Sequence, residues 1–176
     1  MYKIGVFLLV SLTLGLKSQT RKYSNEFLNI GVGARALGMG NANVASVEGV
    51  NSGYWNPAGL LRQKNDIEVG LMHAEYFAGI AKYDYLGASK RIDSNSVAGI
   101  SLLRFGVDNI PNTLDLVDAN GNVDYNRVTT FNAVDFAALL SYARTMPKLK
   151  GVEVGGNFKV IRRKLGDFGG AWGFGL

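Results

Sequence analysis

Residues 132–144, NAVDFAALLSYAR, decide the fold class. Val134, Phe136, Ala138, Leu140 and Tyr142 fall on one side of a period of two, and Asp135, Ala137, Leu139, Ser141 and Ala143 on the other. Successive side chains alternate in this way only in an extended strand; a helix would bring together residues three and four apart. One side is large and apolar, and the other is small, polar or charged. The same contrast recurs in GVEVGGNFKVIRR, residues 151–163, where Val152, Val154, Phe158 and Val160 face away from Glu153, Gly155, Asn157 and Lys159.

Working outward, DIEVGL alternates Asp66, Glu68 and Gly70 with Ile67, Val69 and Leu71. YFAGIAKYDYLGAS sets Phe77, Ala81, Tyr83 and Tyr85 against Lys82 and Asp84, and GGAWGFGL sets Trp172, Phe174 and Leu176 against small residues. SVAGISLLRFGV is less regular, because Arg104 shares a face with Ile100 and Leu102, but it lies between two strands and is read as a third. Strands of roughly 9–13 residues exceed the five or six usual in soluble sheets and suit a tilted crossing of a bilayer. Tyr83, Tyr85, Tyr142 and Trp172 then read as interfacial aromatics at the ends of lipid-facing apolar faces. Turns at 93–95 and 147–150 are short, and the polar stretch 107–130 is long, as at the two ends of an outer-membrane barrel.

The expectation is therefore an all-β fold: an antiparallel transmembrane β-barrel over residues 66–176, preceded by an irregular N-terminal segment over residues 19–65. In that segment the glycines at 31, 33, 38 and 40 argue against a long helix. The chain of 176 residues has no cysteine, which excludes disulfides, thiolate metal sites and a lipidated N-terminus. Met1-Tyr2-Lys3 followed by an apolar run of about 13 residues, Ile4 to Leu16, reads as a secretory signal over residues 1–18. Its removal takes away Lys3 and Lys17 and lowers the formal charge from +5 to +3. The only basic run, Arg162-Arg163-Lys164, is a strand end, so nucleic acid is not an expected partner.

No catalytic or metal-binding motif is complete in this sequence. Asp118, Asn120, Asn122 and Asp124 alternate as calcium ligands can, but the glycine at 121 and the threonine at 129 stand where a calcium loop needs other residues. An Asn-Gly turn is the reading. GVGARALGMG lacks the Lys-Ser/Thr pair of a phosphate loop, and His73, the single histidine, has no serine elbow to serve. No enzyme activity and no cofactor is expected.

FLNIGVGARALGMGNANVASVEGVNSGYWNPAGL, residues 27–60, resembles the N-terminal signature of the PorV/PorQ family of outer-membrane proteins, a branch of the FadL-like barrels. The match lies in the run 33–40 with Gly38 and Gly40, in Glu48, and in Tyr54-Trp55-Asn56-Pro57-Ala58-Gly59-Leu60; beyond residue 66 it is one of strand pattern. The resemblance implies a barrel of roughly 14 strands whose lumen holds this segment as a hatch, with Asn56-Pro57-Ala58 as the turn from hatch to first strand. It implies residence in the outer membrane and work in type IX secretion, binding the C-terminal signal domains of exported proteins or the translocon. The alternative that it carries is FadL-like transport of hydrophobic small molecules. The loop around Asp115, Asp118, Asn120, Asn122 and Asp124 is the expected partner-facing surface.

Residues 66–176 leave room for about six strands, against a minimum of eight for a closed barrel. The expectation is that this chain is the N-terminal part of a longer barrel, or else a fragment without function.

Overall fold

The computed structural model describes residues 25–118, 120–149 and 151–176, so the signal segment expected at 1–18 lies outside the described residues. Six strands, β1 (Ile67–Tyr76), β2 (Ala81–Asp93), β3 (Ser96–Asn112), β4 (Thr129–Thr145), β5 (Glu153–Leu165) and β6 (Gly169–Gly175), form one sheet in sequence order. Every neighbouring pair is antiparallel. The fold is all-β, and the sheet is open: β1 and β6 are its two edges. Two-residue periodicity with β-branched and aromatic residues accounts for the strands, and four of the five connections between them are short reversals.

Four sequence expectations are corrected. Phe77 does not belong to β2; it opens the β1–β2 turn, where Phe77 and Ala78 both take φ 55° and Gly79 takes φ 85°. Tyr83 and Tyr85 do not lie on an outward apolar face. They are 0% and 3% exposed, packed under the N-terminal segment, because that segment covers the face they share with Ala81, Gly87 and Ser89. The loop is shorter than 107–130, since β3 runs on to Asn112 and β4 starts at Thr129, leaving residues 113–128. A β-bulge makes this extension possible: the register slips between Val107 and Ile110, Asn109 takes φ 57°, and its N–H donates to the Asn132 side chain at 2.9 Å. Finally, β3 and β4 have 17 residues each, beyond the expected range.

The inner face is the one that residues 25–66 cover. Phe27 and Val32 pack on Tyr83, Tyr85, Leu103, Ala137, Leu139 and Ile161, and Leu60 packs on Val97 and Ala143 in a second cluster. Leu60 is fully buried, which stabilises the docked segment by roughly 1.5–3 kcal/mol. The outer face carries two unbroken apolar rows across the strands. One is Leu71, Leu86, Leu102, Ala138, Val160 and Phe174; its neighbour is Val69, Ala88, Ile100, Leu140 and Phe158. Most of these side chains are exposed, Leu71 and Phe174 by 80% and 70%.

Candidate functional site

The segment with the Tyr-Trp-Asn-Pro string is built from short pieces: α1 (Ala34–Gly38), a 3₁₀ turn at Gly49–Asn51, α2 (Ser52–Trp55) and a 3₁₀ helix at Pro57–Arg62. Gly33 caps α1 with φ 90°, a left-handed conformation that favours glycine, so the helix cannot extend backwards. Gly40 likewise has φ 61° beyond its end. Gly38 is different, since nothing lies within 4 Å of where its side chain would point.

Each bulky residue of the string holds a different piece of chain. Tyr54 Oη donates to the Leu28 carbonyl and accepts from the Gly31 N–H at 3.2 Å. Trp55 Nε1 donates to the Val32 carbonyl at 2.9 Å, and the two rings meet edge to face with centroids 5.0 Å apart. Asn56 is extended, φ −154° and ψ 98°, as a residue before proline prefers. Its side chain donates to the Val44 carbonyl at 3.2 Å. Pro57 opens the 3₁₀ helix, where its missing N–H costs nothing. Asn56-Pro57-Ala58 is therefore a helix-to-helix junction, and the passage to β1 comes after it, through Gln63 to Asp66.

The sheet supplies the matching half, and these residues the sequence reading missed. Ser141 Oγ of β4 and Asn157 Nδ2 of β5 both donate to the Gly53 carbonyl, at 3.2 and 2.8 Å. Glu68 of β1 accepts from the N–H groups of Val50 and Lys64 at 3.1 and 2.9 Å. Ser89 of β2 donates to the Gln63 side chain at 2.8 Å. Their signal was present in the alternation: a serine, asparagine or glutamate recurs on the inner side of β1, β2, β4 and β5. Glu48 borders a cavity of about 320 Å³ with Arg35, Arg62, Lys64 and Glu68.

Burial holds the Tyr54 phenol above its ordinary value of 10.0. A group whose folded pKa is raised contributes stability that is complete below the unfolded value and lost as pH rises through the folded one. Docking of the segment should thus be insensitive to pH up to about 10 and weaken above it. Tyr54→Phe should lower stability at neutral pH by about 1–2 kcal/mol, through the two lost hydrogen bonds. The wild type minus Y54F difference in phenolate absorbance should titrate above pH 10; an ordinary midpoint would mean the ring is not seated.

In the loop, the Asp118 carboxylate accepts from the N–H groups of Asn120 and Asn122, both at 2.8 Å, and from the Asn122 side chain at 3.1 Å. These bonds, led by those from Asn122, hold it below the usual carboxylate range, and Gly121 turns the chain with φ 83°. Asp124 caps the 3₁₀ turn Tyr125–Arg127 by accepting from the Asn126 N–H at 3.0 Å. Asp118, Asn120 and Asn122 are thereby brought into one turn, while Asp115 stands apart and exposed. The loop also shows Leu114, Val117, Val123 and Tyr125 to solvent, with Tyr125 77% exposed. Among the described residues no group of three or more His, Asp or Glu could hold a metal ion.

His73 stands across the hairpin from Asp84, with Nδ1 2.6 Å from the carboxylate, and Glu75 lies 3.5 Å from Nε2. Arg104 adds a contact to Asp84 at 3.2 Å, so the ring is held in an outer-face ionic ladder and no hydroxyl bonds to it among the described residues. The arrangement as a whole can clamp a segment and present a loop. Comparison with family models, curated proteins and solved structures returns no match to this chain.

Proposed function

We propose that this chain forms part of an outer-membrane β-barrel of the PorV/PorQ kind, which serves type IX secretion by binding the C-terminal signal domains of exported proteins or the translocon. One observation carries the membrane reading: the outer face of the sheet exposes contiguous apolar rows. Leucine, isoleucine and phenylalanine stand exposed on the outer face, while Ser89, Ser101, Ser141 and Asn157 point inward under the N-terminal segment. Exposed contiguous apolar surface of this extent marks an interface or a membrane. Lipid is the solvent that suits whole rows of such side chains, with polar residues left to the lumen.

On this reading residues 19–65 are the hatch, described from residue 25 onward, and the loop 113–128 stands at one end of the barrel. The open edges β1 and β6 must then be paired in the bilayer, because each unsatisfied N–H or C=O there costs several kcal/mol. The secretion role comes from the likeness of residues 27–60 to the family string, and the loop, with its exposed Leu114, Val117, Val123 and Tyr125, is the surface that would meet cargo.

Deletion of residues 115–126 should leave membrane insertion intact while exported proteins accumulate in the periplasm with their signal domains uncut. Fractionation and immunoblotting of cargo decide it. Normal secretion in a strain lacking the whole gene ends the proposal, and lost uptake of a hydrophobic nutrient in that strain points to transport instead.

A further inference from the structure

The outer face is not evenly apolar. Ala138 of β4 is the small member of the row in which it sits, between Leu102 of β3 and Val160 of β5. A trough of about 490 Å³ results, floored at Ala138 and walled by Leu86, Leu102, Val160, Phe136 and Trp172. That volume falls within the range of small-molecule sites. At the end nearer the loop 113–128, the next row reads Asp84, Arg104, Phe136, Arg162 and Trp172 across five strands. Two arginines therefore flank Phe136 at the mouth of the trough, one strand away on each side. Their strands are roughly 10 Å apart.

The charges at that mouth are unevenly paired. Asp84 is engaged by His73 at 2.6 Å and Arg104 at 3.2 Å, and Arg104 also lies 3.9 Å from Asp108. Arg162 makes no ion pair among the described residues; its guanidinium carbon sits 4.8 Å from the centroid of the Trp172 ring. A guanidinium held over an indole by a cation–π contact keeps N–H groups available for an anion. An apolar trough with an arginine at its mouth that has no carboxylate partner among the described residues is complementary to an amphiphile with an acyl chain and an anionic phosphate.

We infer that this trough seats an anionic phospholipid of the surrounding bilayer, its acyl chain along Leu102, Ala138 and Val160 and its phosphate between Arg162 and Arg104. The inference rests on the membrane reading above. It extends that reading from lipid in general to a lipid selected by headgroup.

The two tryptophans provide the test. Trp172 borders the trough, while Trp55 is hydrogen-bonded inside the N-terminal segment on the opposite face. The full chain is reconstituted into phosphatidylcholine vesicles that contain an equal small fraction of either phosphatidylglycerol or phosphatidylcholine with brominated acyl chains. Flotation of the vesicles is measured alongside quenching of fluorescence. The expected result is co-flotation with roughly 3–10-fold greater relative association of the brominated phosphatidylglycerol, as for a charge-assisted contact. Arg162→Gln should bring the two lipids close to parity, and Arg162→Lys should recover part of the preference. Lys159→Gln, which removes one charge from the inner face, should leave it unchanged. Equal quenching by both lipids in the wild type overturns the headgroup site and spares the membrane reading. Flotation without quenching of Trp172 by either lipid overturns the site in favour of a protein surface or a second copy over the trough. A chain that does not float overturns the membrane reading and the lipid seat with it.

Discussion

Gly59→Val is expected to destabilise docking of the N-terminal segment by about 3 kcal/mol, near the upper end of what overpacking costs. A side-chain carbon at position 59 would lie 2.6 Å from the Val47 carbonyl oxygen and 2.7 Å from Ser52 Oγ. The first of these is backbone, so no rotamer change clears it. Relief requires either the 3₁₀ helix Pro57–Arg62 or the turn around Val47 to move, and the first carries Leu60 into its fully buried seat beside Val97 and Ala143. The helix is also confined from the sheet side, because Gly155 of β5 leaves space for the backbone of Pro57 and Ala58, and a carbon there would clash with the Ala58 nitrogen. Gly38→Ala supplies the contrast. Nothing lies within 4 Å of that position and it sits at the end of α1, so alanine should be neutral or stabilise by up to ~1 kcal/mol. Denaturant midpoints of the two variants, followed by Trp55 fluorescence, check the pair. Equal midpoints would show that the motif glycines are not separated by packing.

The strands were legible because alternation is a local property, and β4 and β5 carry it most cleanly. Which face of β2 would be covered was not. The side with Tyr83 and Tyr85, set against Lys82 and Asp84, suits lipid and a covering segment alike, and the choice is made by Phe27 and Val32, more than 50 residues earlier in the chain. The ends of β3 and β4 were hidden for a different reason. Asp108, Asn109 and Pro111 read as loop residues, yet a bulge absorbs Asn109 while Pro111 stays in register opposite Thr130. At the site, the string Tyr54 to Gly59 drew attention through its oddity. Its receptor residues Ser141, Asn157 and Glu68 did not, because a polar residue on a strand carries no sign of what it will meet. The ionic ladder from His73 to Arg104 needed the register, since only pairing of β1 with β2 and of β2 with β3 brings those side chains together.

Leu140→Arg should divide the membrane reading from a water-soluble one most sharply. Leu140 is 53% exposed in the middle of β4, with Ile100 and Phe158 as its neighbours in the row. If that row faces water, an arginine there exchanges one exposed side chain for another, and the change should stay within about 0.5 kcal/mol. If it faces the centre of a bilayer, the same arginine should cost about 2–4 kcal/mol, because the guanidinium must be dehydrated or must draw water and headgroups inward. Thr129→Arg at the loop end of the same strand serves as the control, where a membrane would impose about 0–1 kcal/mol. Folding into phosphatidylcholine vesicles from urea, read by tryptophan fluorescence, gives both numbers under one condition. A large cost at 140 with little at 129 is a depth-dependent penalty, which a solvent-exposed sheet has no means to produce. A small cost at both positions would leave the apolar rows without lipid to explain them, and the outer face would then have to be covered by protein.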